Sequence, residues 1–398
     1  MPLLLYTYLA TEVLAPFFAS LIILCGILFL GRLIPILDVI LDFGIGFADF
    51  IRLCAYIFPK LLLFAVPMAS LIGVIIGFGR LVSDNEIIAL KAGGIGLFRM
   101  LPPVLMIAVA TAGLTAFTST QLIPAGSSAA RQLLFHLAKE KIDQGLREKQ
   151  FSENLGSLVI YVDRVDPESK EWHGVYVSDL RNPQTPVTII ARSGSLTARL
   201  DKMEIALTLA NGSLHRAPNQ RSQTILFDRY NVTVPLQEPT TVLGESADAI
   251  DRTTLGQKEL LATAKRIGPE TPQGIGLRVE FHKRLALAAG CFILTLLGLP
   301  LALFTRHGRR PLGLPLGLGF FILYYVSLTG ATGVCEANTL PIGPMIWLPN
   351  LIFAMMTFFF IRRVGQEKTS PLLARLFGII DGISDRLLRL RRRKGGTA

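Results

Sequence analysis

Six stretches of this chain carry no charged side chain over roughly 20 residues each, the length a helix needs to cross a hydrocarbon core about 30 Å thick. They run Val13–Gly31, Leu61–Gly79, about Leu101–Ile123, Leu285–Thr305, Leu312–Cys335 and Ile342–Ile361. The second is preceded by the apolar but interrupted Phe50–Pro59. The prolines inside them (16, 67, 102, 103, 300 and 315) are tolerable, because neighbouring helices can satisfy the carbonyls that proline frees. Only 17% of residues are charged, against about a quarter in an ordinary soluble domain. The N-terminus lacks a basic region and a small-residue cleavage site, so the first stretch is expected to stay as a membrane helix.

The distribution of basic residues gives an orientation. Arg80, Lys91 and Arg99 lie between spans two and three, and Arg306, Arg309 and Arg310 between spans four and five. The tail from Arg362 to Ala398 holds ten Lys/Arg and three Asp/Glu. Residues 336–341, between spans five and six, hold no Lys or Arg. Basic short loops stay in the cytoplasm. Both termini are therefore expected there, and about 124–280 on the far side. The formal charge of +11 is then mostly a topology signal and a lipid contact; no nucleic-acid motif accompanies it. In the tail, Leu372, Leu376, Ile379, Ile380, Ile383, Leu387 and Leu390 recur at helical spacing among arginines, an amphipathic helix on the inner leaflet.

The polar insertion has β character. Ser157–Val165, Gly174–Leu180, Val187–Ala191, Met203–Leu209 and Thr224–Leu236 are short and partly alternating. Asp166-Pro167, Asn182-Pro183, Ser193-Gly194 and Asn211-Gly212 read as turns between them. Such spacing suggests a sandwich, jelly roll or barrel. Helices are expected before it, Ser127–Arg147, and after it, Gly256–Ile267. The expected fold is thus six transmembrane helices plus an inserted all-β, jelly-roll-like periplasmic domain. Its parts are 1–126 (spans one to three), 127–279 (the insertion with its helical connectors), 280–362 (spans four to six) and 363–398 (the basic tail).

Chemistry is marked mainly by absences. There is no Walker loop, no H-E-x-x-H and no G-x-S-x-G. The four cysteines, 25, 54, 291 and 335, sit in or beside apolar runs without metal spacing and read as packing residues. The spans hold no buried carboxylate or histidine relay of the kind an ion-driven carrier needs. If this protein moves something, the energy comes from elsewhere.

Residues 83–99 stand out. Ser83-Asp84-Asn85-Glu86 has the form of a capping box, Ile87, Ile88, Leu90 and Lys91 continue a helix, and Gly93-Gly94 can stop it. A short cytoplasmic helix with apolar knobs and an acidic tip can dock into a partner's groove, or simply lie on lipid. Arg32 and Lys60 are expected near the outer interface, snorkelling to headgroups or facing an anionic amphiphile. Glu280 and Arg284, at i, i+4, read as a local ion pair of small energetic value.

The order of parts resembles the LptF/LptG (YjgP/YjgQ) permeases of the lipopolysaccharide exporter. The likeness is carried by FGRLVSDNEIIALKAGGI (78–95), VTIIARSGSLT (187–197) and EFHKRLALAAGCFILTLLGLPLAL (280–303), and it covers nearly the whole chain. Residues 78–95 are nearer the LptF side. One departure is Ala288, where many relatives have proline. The resemblance implies a permease subunit, not an enzyme, that binds no cofactor itself. It would pair with a paralogous permease, LptG if this chain is on the LptF side. Two copies of a cytoplasmic LptB-like ABC ATPase would spend ATP and magnesium. Lipopolysaccharide would pass from the inner membrane to LptC/LptA-like jelly-roll proteins. By position, Glu86, Ile87, Ile88, Ala89 and Leu90 would dock into the ATPase, and Arg32 would face lipopolysaccharide phosphates. Lys60 is added on its location alone. Spans one and five would gate toward the partner permease, with glycines 313, 317 and 319 allowing close approach. Two other readings stay open: a lipoprotein-release or efflux permease, and a scaffold that anchors a β domain without transport.

Overall fold

A computed structural model describes residues 2–43, 46–145, 149–155, 158–166, 171–179, 187–199, 204–216, 223–235, 252–303, 313–337 and 341–366. Helices α1 (Pro2–Phe43), α2 (Phe47–Ser83), α3 (Glu86–Ala92), α4 (Leu97–Phe117) and α5 (Ile123–Gly145) come first, with a π-helical turn, Thr118–Leu122, joining the last two. Six described strands follow: β1 (Phe151–Leu155), β2 (Leu158–Val165), β3 (Trp172–Asp179), β4 (Val187–Arg199), β5 (Glu204–Arg216) and β6 (Gln223–Pro235). Helices α6 (Gln257–Ile267), α7 (Pro272–Leu303), α8 (Gly313–Glu336) and α9 (Ile342–Gly365) complete the order. Among the described residues, six helical stretches are long and apolar enough to cross a membrane, as expected. The amphipathic tail helix and the basic loop at 306–310 lie outside the described residues.

Several helices outrun their expected spans. The first two are 42 and 37 residues long, about 63 and about 55 Å, well beyond a hydrocarbon core. Helix α2 passes through Pro59 and Pro67 without a break. The third span and the helix expected after it are one continuous rod, α4 to α5, because a single π turn keeps the backbone bonded where the hydrogen-bond step changes.

By contacts the chain forms two compact units. One comprises Met1–Gly31, Phe58–Pro124 and Arg252–Ala398, the other Arg32–Ile57 and Ala125–Asp251.

The first unit is helical. Its largest core cluster joins Leu71 and Ile75 of α2 to Leu287, Leu294, Leu297 and Leu301 of α7, Tyr324 and Leu328 of α8, and Ile346 and Phe353 of α9. The outer faces are apolar too: Ile22 is 72% exposed, Met106 70% and Phe358 66%. A surface like that needs a hydrocarbon solvent. The helices are pinned by a few polar contacts. The Tyr324 hydroxyl reaches both the Ala286 carbonyl (3.1 Å) and Asn350 Oδ1 (2.8 Å), and Asn350 Nδ2 donates to the same carbonyl at 3.0 Å. Tyr324 gets that close because residue 290 is glycine: a Cβ there would collide with the tyrosine hydroxyl. Ser70 and Thr295 share a 2.7 Å hydrogen bond between α2 and α7.

The Glu280–Arg284 pair differs from the expectation of a weak surface bridge. Arg284 is 2% exposed. Its Nε donates to Glu280 Oε1 (3.1 Å), Nη1 to the Leu255 carbonyl (2.9 Å) and Nη2 to the Arg252 carbonyl (3.0 Å). Ser119, in the π turn, donates to the Arg284 carbonyl at 3.3 Å. The helical spacing was legible; the burial was not, because both carbonyl partners lie about 30 residues away in sequence.

The second unit holds the sheet. All six strands are antiparallel and neighbour one another in sequence order. Ser193-Gly194 and Asn211-Gly212, expected as turns, instead lie inside the 13-residue strands β4 and β5. The registers explain why they looked like turns. Asp163, Gly174, Arg192, Asn211 and Asp228 fall opposite one another on β2 to β6. Along that line Gly174 has φ 63° and Asn211 φ 54°. Across that line the side of each strand that faces inward reverses. Buried positions are Ile189 and Ala191 before the line but Gly194 after it on β4, and Ala206, Leu207 and Leu209 before it and Leu214 after it on β5. The sheet is therefore creased, and side chains from both arms, Trp172 and Leu214 with Val175 and Leu209, share one buried cluster. This creased sheet is the all-β insertion that the sequence led us to expect. In the same unit Ile36 of α1, Leu53 and Ile57 of α2, and Ala130 and Leu134 of α5 form a separate helical core.

The cysteines are free thiols, Cys25, Cys291 and Cys335 buried and Cys54 half-buried, as packing residues should be. No group of metal-ligating side chains occurs among the described residues.

Candidate functional site

The turn between α2 and α4 carries α3. The expected capping box does not form. Ser83 remains in α2, and its hydroxyl donates back to the Gly79 carbonyl at 3.0 Å. A capping serine must leave the helical conformation, and here the apolar run through Leu81 and Val82, both buried, holds the chain helical to residue 83. The chain reverses at Asn85, which takes φ 64°, a left-handed conformation that asparagine tolerates better than most residues. Its carbonyl then accepts from the Ile88 and Ala89 amides, both at 3.1 Å, and starts α3. The glycine stop is as expected. Gly94 has φ 79°, its amide donates to the Lys91 carbonyl, and the Ile95 amide reaches the Leu90 carbonyl, both at 2.9 Å. That pair of bonds is a Schellman closure, which a side chain at 94 would strain.

This geometry divides the five residues expected to dock. Ile87 points inward and is 6% exposed; Ile88 points outward and is 54% exposed. Ala89 is exposed, while Glu86 and Leu90 are half-buried. Ile87 shares a buried cluster with Leu9 and Val13 of α1, Phe78 and Leu81 of α2, Leu97 and Met100 of α4, and Leu299 of α7. Replacing Ile87 by alanine is expected to cost roughly 2–4 kcal/mol of stability, through the cavity it leaves. Ile88→Ala is expected to leave the melting temperature unchanged. Thermal unfolding of the two purified variants checks this; equal melting temperatures would sink the assignment of faces.

Charged groups tie the same end together. The Tyr8 hydroxyl donates to Glu86 Oε2 at 2.8 Å. Arg80 bridges Glu12 (3.4 Å) and Asp84 (3.7 Å). Beneath them α1 and α2 nearly touch: a Cβ at Gly77 would lie 2.6 Å from the Glu12 carbonyl oxygen, and one at Gly73 2.8 Å from Phe17 Cβ. Helix α3 is therefore joined directly to α1, through Ile87 and through Tyr8. Reading the sequence missed Tyr8 and Glu12. The signal was there: two groups able to bond charges, just ahead of the first charge-free run.

The other candidates stand apart from α3. Arg32 is half-buried in α1, at the far end of the first apolar span, Leu3–Ile34. Lys60 is half-buried in α2, 20 residues before Arg80 and so about 30 Å from it along the helix. Of the three glycines, Gly317 serves this chain's own packing, since a Cβ there would collide with Ile75 of α2, while Gly319 faces open space.

A family model described as "Lipopolysaccharide export system permease LptF/LptG" matches residues 7–363. The lipopolysaccharide export system permease protein LptF of Escherichia coli (strain K12) is 24% identical over 352 residues, 87% of this chain and 91% of that protein. The protein of the same name in Shigella flexneri matches to the same extent. An uncharacterized protein of Rickettsia prowazekii (strain Madrid E), RP871, is 24% identical over 155 residues, 39% of this chain and 43% of its own length. A match over nearly the entire length, on six membrane-length helices interrupted by a β domain, places the chain in the LptF/LptG family of lipopolysaccharide export system permeases, as a multi-pass inner-membrane protein.

Proposed function

We propose that this chain is the LptF-side permease of an ATP-driven exporter that takes lipopolysaccharide from the inner membrane and passes it to a bridge of jelly-roll proteins. The observation that carries the proposal is the build of α3. It presents Ile88 and Ala89 to a partner on one face, and on the other seats Ile87 in a core shared by α1, α2, α4 and α7. That is the form of a mechanical input, on a chain whose sequence holds no nucleotide-binding loop of its own. The partner hydrolyses ATP with magnesium; two such ATPase copies serve this chain and its paralogue. The basic short loops of the sequence support a cytoplasmic side for both termini and α3 and a periplasmic side for the creased sheet. Among the described strands β1 and β6 each have a single neighbour, an arrangement that suits strand addition by the next jelly roll. Arg32, at the far end of the first span, and Lys60, in α2, each supply a positive charge suited to lipopolysaccharide phosphates.

The test is purification from native membranes, followed by mass spectrometry of bound protein and lipid. The expected result is a second permease, two ATPase copies and lipopolysaccharide. A chain that arrives alone, with phospholipid only, would favour a scaffold and overturn the proposal. Within the same complex, Arg32→Glu is expected to reduce lipopolysaccharide capture several-fold while assembly stays intact. Photocrosslinking from position 32 that never yields a lipopolysaccharide adduct would remove Arg32 from the cargo path.

A further inference from the structure

The segment that follows the inserted domain in sequence, from Arg252 to Gln257, is strapped onto α7. Buried Arg284 holds the carbonyls of Arg252 and Leu255, and Gln257 Nε2 donates to the Phe281 carbonyl at 3.1 Å. The guanidinium of Arg252 lies against Gly276, where any Cβ would collide with it. From this fixed base Arg252 Nη1 reaches Glu336 Oε1, at the last residue of α8, over 2.6 Å.

The two arginines differ in kind. Arg284 is sealed from solvent against the half-buried Glu280 carboxylate, and breaking such a contact is costly. The Arg252 and Glu336 side chains are 26% and 47% exposed, so water can take over either charge when they part. Within an 18-residue apolar stretch of α8, 28% is buried, close to the 33% of α9 and below the 67% of α7. Near its Glu336 end, glycines 330 and 333 have nothing packed against the place where a side chain would be.

We infer that Arg252 is a positioning residue, a clasp on a rigid strap that holds the Glu336 end of α8 and releases it during each transport cycle. This deepens the export reading and rests on it, because α8 is the fifth span, which the family resemblance assigns to the gate. The strap sets where the helix rests, and the exposed charge pair lets it leave.

The test uses the assembled complex of this chain, its paralogue and the ATPase in lipid nanodiscs. With Arg252→Lys, a carbodiimide can join the introduced amine to the Glu336 carboxylate, and mass spectrometry counts the linked peptide. The expected yield falls at least three-fold between the nucleotide-free and vanadate-trapped states. Equal yields would mean a static structural pair and would overturn the clasp. In a second arm Glu336→Arg is expected to lower lipopolysaccharide released per ATP about five-fold, and the exchanged pair R252E/E336R to recover most of it. An exchange that recovers nothing would overturn the clasp as well. A complex whose linking changes with nucleotide state, yet which releases no lipopolysaccharide even with the native sequence, would keep the clasp and reject the cargo.

Discussion

A chain carrying Gly290→Val is expected to lose its compact helical unit, with a cost on the order of 4 kcal/mol from overpacking and broken hydrogen bonds together. The reason is local crowding. The Tyr324 hydroxyl occupies the space a side chain at 290 would need, and Tyr324 is 1% exposed, so it has no free volume to retreat into. Driving it out would leave Asn350, 4% exposed, without its Tyr324 partner, and would separate α8 from the Ala286 carbonyl of α7. Size-exclusion profiles and melting curves of the detergent-purified chain provide the measurement. A second change, Tyr324→Leu, should recover part of the loss by vacating the space. If Gly290→Val purifies as a monodisperse chain with the native melting temperature, the close approach of these helices is wrong.

The second large effect is on coupling. Glu86→Lys is expected to cut ATP-driven lipopolysaccharide release at least ten-fold while the membrane domain still folds. Glu86 is half-buried and bonded to Tyr8, so a lysine there loses the acceptor and reverses the charge at the tip of α3, close to Arg80. It leaves the buried contacts of Ile87 in place. Stability should therefore change little, by about 1 kcal/mol or less, because the lost hydrogen bond is solvent-exposed. Reconstituted release assays and ATPase pull-downs separate the two quantities. Full release by a purified Glu86→Lys complex would show that α3 does not receive the stroke.

Some of this was written plainly in the sequence. The membrane helices were legible because charge is so costly in hydrocarbon that spans exclude it, and soluble helices rarely go roughly 20 residues without it. The helix stop at Gly94 was legible because it depends on one residue's own backbone freedom. What failed depended on distant partners. Ser83 fits a capping box by local chemistry, but its place in α2 is decided by how Leu81 and Val82 pack. Asn211-Gly212 has the composition of a hairpin turn, yet pairing on both sides carries β5 straight through it. The break in alternation at 191 to 194 was a true signal, though of a crease rather than a strand end. At the candidate site, Ile87 and Ile88 were indistinguishable as neighbouring apolar residues; only the burial of one and the exposure of the other separates core from docking face.

The sheet's strand order bears on biogenesis. Among the described strands each pairs with the one made just before it, so that sheet needs no long-range strand pairing. A polypeptide leaving the ribosome delivers its residues in that same succession. β1 and β2 can close on each other before β3 emerges, and every later strand finds a finished edge ready to receive it. Vectorial delivery and native topology run in the same direction, which spares the nascent chain a stage at which mismatched edges stand open to aggregation.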